Sequence, residues 1–280
     1  MKIVWRHRMK TAVIADIHGN REALKRILED IESRGIERII CLGDIVAKGI
    51  HNHDCVQLVK EKCDIAIAGN CDEYFSRDAA EAESERERKL IEAYQATMEK
   101  EDIEWLASLP YCHEETINGR LVRMFHAGPD SLSNDESNTL YASPDKRFSM
   151  FEAGRYTLSK QTADIVIFGH VHIQTMTRLY NRTLICCGSV GNPLDIIRNP
   201  EKDGPVSNTA EAQYLIMEDH AGTQTFSFVQ VPYDIEKELI EGKDFFEYEQ
   251  LSYELRNAAY RRNEKIRAIL TRDGISFDQI

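Results

Sequence analysis

Lys10-Thr11-Ala12-Val13-Ile14-Ala15-Asp16-Ile17-His18-Gly19-Asn20-Arg21-Glu22-Ala23-Leu24 passes from an apolar run of strand length, through a polar loop, into a helix. Apolar residues at Ala23, Leu24, Ile27, Leu28 and Ile31 have the spacing of one helical face, and Gly35 ends the segment. The unit then repeats. Arg38 to Leu42 reads as a second strand followed by the loop Gly43-Asp44. A helix-like stretch, Asp54 to Lys62, leads to a third strand over Asp64 to Ala68 and the loop Gly69-Asn70-Cys71-Asp72. Short strands separated by helices indicate βαβ units and a largely parallel sheet.

Farther along, the pattern becomes antiparallel. Tyr111 to Ile117 and Arg120 to His126 flank Asn118-Gly119, a strong signal for a type I′ hairpin. Thr177 to Tyr180 and Thr183 to Cys187 flank Asn181-Arg182, a weaker one. Gln213 to Met217 and Thr225 to Val231 suggest a further strand pair. Residues 78 to 109, dense in Ala, Glu and Arg at first, read as an exposed helical insertion with a solvated charged face. From Ile235 the chain reads as a helical tail. With no internal repeat or low-complexity linker, residues 1–280 are expected to form one domain.

Composition narrows the function classes. The longest apolar runs, such as Ile165-Val166-Ile167-Phe168, are too short to cross a bilayer, so no membrane partner is expected. The basic N-terminus lacks a secretory apolar stretch, and Met9 opens what looks like a natural chain start. A net charge of −12 argues against binding a nucleic-acid duplex but leaves small phosphorylated substrates open, because bound cations invert the field locally. Seven cysteines without paired spacing point to reduced thiols and a cytoplasmic location. Cys186-Cys187 reads as buried strand, with its side chains on opposite faces.

Five polar loops follow apolar strands: Asp16-Ile17-His18, Gly43-Asp44, Gly69-Asn70-Cys71-Asp72, His126-Ala127-Gly128 and Gly169-His170-Val171-His172. Ligand sites in open α/β sheets form beyond the carboxyl ends of strands, so these loops would share one crevice. Two carboxylates, an amide oxygen and four imidazoles suit borderline metals such as Mn, Fe or Zn. Asn20 has two readings, a phosphate contact at a helix N-terminus or the N-cap of that helix. His51-Asn52-His53-Asp54 reads as a solvent loop with Asp54 as N-cap, and Lys146, Arg147 and Arg155 as surface residues.

This order of motifs resembles the calcineurin-like metallophosphoesterase superfamily over roughly residues 10 to 235, and most closely its bacterial phosphodiesterases and diadenosine polyphosphate hydrolases. The resemblance implies an α/β four-layer αββα sandwich of two mixed β-sheets flanked by helices. It implies two divalent metal ions, the first bound by Asp16, His18 and His172, the second by Asn70, His126 and His170, with Asp44 bridging. The expected activity is hydrolysis of phosphodiesters or nucleotide polyphosphates by metal-activated water, with a small nucleotide-like substrate. Asp72 would orient a neighbouring imidazole, and Asn70 and Asn20 would contact substrate. One departure stands out: Cys71 occupies a position where many members carry His, and a neutral thiol is a weak donor to a leaving group. That shifts the expectation toward substrates with good leaving groups. A phosphomonoesterase or serine/threonine protein phosphatase, or a non-catalytic scaffold of the same fold, remain the alternatives; oligomeric state is left open.

Overall fold

The structure, a computed structural model, describes residues 9–133, 142–194, 210–220 and 222–260. Expectations for the first eight residues, for part of the 130–160 segment and for the chain beyond 260 fall outside the described residues.

Two mixed five-stranded sheets face each other. The first contains β1 (Met9–Ile14), β2 (Arg38–Cys41), β3 (Ile65–Ala66), β9 (Ala212–His220) and β10 (Thr223–Val231), in the order β10-β9-β1-β2-β3. Its β1-β2-β3 part is parallel, as the βαβ pattern requires, and β9 joins β1 antiparallel. The second contains β4 (Cys112–Ile117), β5 (Arg120–Phe125), β6 (Ile165–Phe168), β7 (Gln174–Leu179) and β8 (Arg182–Cys187), in the order β4-β5-β6-β8-β7.

The two-residue period of the strands makes the layers. Val13, Ile40, Leu42, Val122, Met124, Ile165, Ile167, Ile185 and Cys187 meet between the sheets, while Ala12, Ile14, Ile39 and Cys41 turn outward. Each of these aliphatic side chains contributes roughly 1.5–3 kcal/mol by leaving water. On the outside of the first sheet lie α1 (Arg21–Ser33) and α2 (Asn52–Lys62), with Ala23, Leu24, Ile27 and Ile31 of α1 pressed inward. Gly35, at φ +64°, turns the chain out of α1. The outer face of the second sheet is covered more lightly, by α6 (Pro144–Phe148) and a 3-10 turn carrying Met150 and Phe151. Cys186 and Cys187 do point to opposite faces, and all seven cysteines are free.

Several local expectations are refined. The Asn118-Gly119 turn forms with both residues at positive φ. In the second hairpin the turn residues are Tyr180 and Asn181, at φ +46° and +66°, and Arg182 is the first residue of β8. Residues 78–109 hold α4 (Glu85–Gln95) and α5 (Lys100–Ala107). The charged face of α4 is solvated, but Ile91 and Tyr94 are buried in the main core, so this stretch is not exposed throughout. α2 begins at Asn52 with His51 as its N-cap residue, and Asp54 lies in its first turn. The reason is that Asn52 is fully buried, bonding Ala47 N, Gly49 O and Thr97 Oγ1, which starts the helix earlier. α3 (Asn70–Ser76) starts at the third polar loop, and α7 (Ile235–Ile240) and α8 (Tyr248–Asn257) follow the last strand. Among the described residues no helix is long and apolar enough to cross a membrane.

Candidate metal centre

The five polar loops lie beyond the carboxyl ends of β1, β2, β3, β5 and β6 and are stitched together by main-chain bonds. Ile17 and His18 donate their N–H groups to Asp44 O at 2.8 and 2.9 Å, and Gly169 N donates to His126 O at 2.9 Å. Gly191 N donates to Asp16 O at 2.9 Å, bringing the 188–192 turn against the first loop. Asp16, His18, Asp44, His170 and His172 all adopt left-handed backbone, with φ of +55°, +52°, +51°, +67° and +60°. That conformation costs roughly 1–2 kcal/mol for each residue with a Cβ. Such outliers persist where the surroundings over-determine them, typically at ligand clamps. Here they aim five polar side chains into one cleft.

Three groups of side chains there could each hold a cation: Asp16, His18 and His172; Asp44, His126 and His170; and His18, Asp44 and Cys71. Asp44 belongs to two of them and lies between His18 and His126, with Oδ2 3.6 Å from His18 Nε2 and Oδ1 3.5 Å from His126 Nε2. The imidazoles are oriented for ligation. Nδ1 of His18, His126 and His172 faces the carbonyls of Val46, Leu42 and Asn192 at 3.3, 2.8 and 2.5 Å. Donating Nδ1–H to those carbonyls leaves the Nε2 lone pair turned inward, the tautomer a cation needs. His18 Nε2 and His172 Nε2 stand only 3.1 Å apart, and His170 Nδ1 lies 3.2 Å from His126 Nε2. Lone pairs so close repel unless a proton or a metal sits between them. Asp16 Oδ1 is buried without a hydrogen-bond donor among the described residues. A cation would satisfy all of these groups together, so the residues fit one.

Electrostatics agree with the geometry. Burial tends to raise the Asp16 and Asp44 carboxyls, but the surrounding imidazoles outweigh it and hold Asp16 below, and Asp44 well below, the usual range. Burial and Lys48 push His18 well below the ordinary imidazole value, and burial with His126 takes His170 to about 3. Burial opposes a charge on His126, yet Asp44 and Asp16 carry it to about 9.

All seven expected ligands meet in this cleft; Asn70 reaches it with its amide 3.1 Å from His126 Nε2. Two other assignments need correction. Both oxygens of Asp72 are taken by main-chain donors, Oδ1 by Ile45 and Val46 and Oδ2 by Gly69, so it fixes the loops around Asp44 and orients no imidazole. Burial and the Asp44 charge raise it to about 7. Asn20 caps α1, accepting from Ala23 N at 3.1 Å, and donates to Gly191 O and the Tyr233 hydroxyl at 2.8 and 2.9 Å. It is 1 % exposed, leaving nothing free for a substrate. Cys71 is half-buried beside His18 and Asp44, and burial together with Asp44 keeps its thiol protonated far above the usual value. His51 and His53 do not converge: His51 faces Glu238 and Glu241, while His53 Nδ1 lies 2.6 Å from Asp102 Oδ2. Sequence patterning missed Lys48, whose charge is sensed by His18 and Cys71, and the outer partner Glu254. Lys48 follows the Gly43-Asp44 loop closely enough to have been a candidate. Glu254, more than sixty residues from Asn192, carried no such signal.

Comparison with known proteins gives concordant relatives. The family model described as the calcineurin-like phosphoesterase superfamily domain matches residues 9–201. An uncharacterized protein of Methanocaldococcus jannaschii is 32% identical over 238 residues, 81% of this chain and 88% of its own length. A symmetrical bis(5'-nucleosyl)-tetraphosphatase of Haemophilus influenzae is 28% identical over 125 residues, 43% of this chain and 44% of that enzyme. The crystal structure of a metallophosphoesterase from Sphaerobacter thermophilus superposes with a TM-score of 0.69 over 90% of this chain and all of that one, at 20% identity, a likeness of fold.

Proposed function

The chain belongs to the calcineurin-like phosphoesterase superfamily, and on that premise we propose that it is a dinuclear metal-dependent phosphoesterase acting on phosphodiesters or nucleotide polyphosphates. The observation that carries this reading is the orientation of His18, His126 and His172, each with Nδ1 on a backbone carbonyl and Nε2 turned toward Asp16 and Asp44. Asp16, His18 and His172 would hold one ion; Asn70, His126 and His170 the other; and Asp44 both. Mn, Fe or Zn suits this mixed nitrogen and oxygen set. When bound, such ions acidify water toward neutrality and offset the charge of a phosphate.

The protein's own groups then set selectivity. Asp72 pins the amides of Ile45, Val46 and Gly69, keeping the Asp44 loop rigid. Lys48 contributes a positive charge beside the cleft that suits a phosphate group; burial works against that charge, but Glu254 and Asp44 stabilise it. Cys71 offers a neutral thiol where a leaving group would need a strong donor, which favours good leaving groups over phosphoserine. The partial match to a tetraphosphatase supports a nucleotide-like substrate, and the free thiols suit a reducing cytoplasm. Turnover of bis(p-nitrophenyl) phosphate and p-nitrophenyl phosphate with Mn²⁺ tests the proposal. The diester should be preferred, with activity lost on chelation and in Asp44→Asn. A clear monoester preference, or full activity after both treatments, would overturn it.

A further inference from the structure

α8 brings one carboxylate to the back of the metal centre. Glu254 is 5 % exposed, and its Oε2 accepts a hydrogen bond from Asn192 Nδ2 at 2.8 Å while Oε1 accepts from Gln250 Nε2. Burying a carboxylate is costly unless it is paired and hydrogen-bonded, so its placement calls for a partner that gains from it.

Asn192 is that partner. Its carbonyl receives His172 Nδ1 at 2.5 Å, and its N–H donates to Ser189 Oγ at 2.9 Å. Ser189 Oγ in turn donates to Asp16 O at 2.8 Å. One residue therefore touches His172 directly and the Asp16 backbone through a single hydroxyl. Asn192 Oδ1 is buried without a partner among the described residues, so the bond to Glu254 is what orients its amide.

We propose that Glu254 is a positioning residue of the metal centre, holding Asn192 so that its carbonyl fixes the ring of His172 on the Asp16–His18–His172 side. This rests on the dinuclear reading above. Removing an outer partner of a metal-bound imidazole typically weakens metal binding 10–100-fold, and one link farther out the effect should be about tenfold.

The test is calorimetric titration of Mn²⁺ into the full chain and three variants. Glu254→Gln keeps an acceptor of the same reach, Glu254→Asp draws the carboxylate back by one methylene, and Glu254→Met removes the acceptor. Wild type and Glu254→Gln should bind two ions alike. Glu254→Asp and Glu254→Met should weaken one ion about tenfold and leave the other nearly unchanged. A merely structural role would weaken both ions together and would not be rescued by Gln. Wild-type affinities in Glu254→Asp and Glu254→Met, or equal weakening of both ions, overturn the inference; if Glu254→Met fails to fold, Glu254→Asp decides alone. A wild type that binds fewer than two ions removes the dinuclear reading, and this inference with it.

Discussion

Replacing Gly69 by Ala puts one methyl group against the carboxylate at the middle of the cleft. The added carbon would lie 2.2 Å from Asp44 Oδ1, 2.3 Å from Asp44 N and 2.9 Å from Asp44 Cγ. Carbon–oxygen contacts settle near about 3.3 Å, so Asp44 must retreat by roughly 1 Å. Gly69 itself sits at φ −95° and ψ 177°, open to any residue, so the whole penalty lies in these contacts. Overpacking of this kind costs about 1–3 kcal/mol. Stretching the 2.8 Å bond from Cys71 N to Asp44 Oδ1 adds about 1 kcal/mol. The sum, about 2–4 kcal/mol, leaves a folded protein if its stability is in the usual range of roughly 5–15 kcal/mol. Metal binding should suffer more, because Asp44 lies between His18 and His126 and would, on the dinuclear reading, contact both ions; a loss of at least tenfold at both is expected. Gly119→Ala is the control. Its φ is +77° with nothing within 4 Å, so it pays only the left-handed penalty of roughly 1–2 kcal/mol and should leave metal binding intact. Urea unfolding of chelated protein and Mn²⁺ titration read the two effects separately. A Gly69→Ala protein that binds both ions as the wild type does would refute the placement of Asp44.

Three further outcomes are expected. Glu238 is buried, and burial, with Glu22 and Glu241 adding to it, raises its carboxyl from 4.5 to about 7. The folded state thus holds a proton that the unfolded state has released, and stability falls as pH rises from about 4.5 to 7. Glu238→Gln, which keeps an acceptor for Glu22 N, should therefore stabilise by about 2–3 kcal/mol at pH 8 and by little at pH 5 in urea unfolding; equal changes at both would contradict this. Because His126 carries its proton up to about 9, metal loading at pH 7–8 should release close to one proton, seen by calorimetry in buffers of different ionisation heat. No buffer dependence would mean that His126 is not displaced. Asn20→Ala should cost about 1–3 kcal/mol in thermal unfolding through the lost cap and clamp, while KM for a phosphodiester stays within about twofold. A raised KM with unchanged stability would return Asn20 to the substrate.

The sequence displayed the fold wherever local chemistry decides it. The unbroken apolar runs around Val13 and Ile167, buried on both faces of their strands, the helical spacing from Ala23 to Ile31 and the Asn118-Gly119 turn all form as their local chemistry requires. The cleft was legible because its donors follow strands. Other features depend on distant partners. The left-handed backbone of Asp16, His18, Asp44, His170 and His172 has no glycine to announce it and is imposed by bonds between loops, such as Gly191 N to Asp16 O. Asp72 reads in sequence as a carboxylate partner for a metal-bound imidazole, but three main-chain amides claim it first. Tyr180 replaces Arg182 as a turn residue because the Leu179–Arg182 pair closes the hairpin, a register set by the sheet.

The central claim is that one carboxylate, Asp44, joins two cation sites in a single cleft. Crystals grown with Mn²⁺ and measured at a wavelength where manganese scatters anomalously address it directly. Two anomalous peaks are expected, one beside Asp16, His18 and His172, the other beside Asn70, His126 and His170, with Asp44 contacting both. A single peak, or two peaks that Asp44 does not touch, would contradict the account.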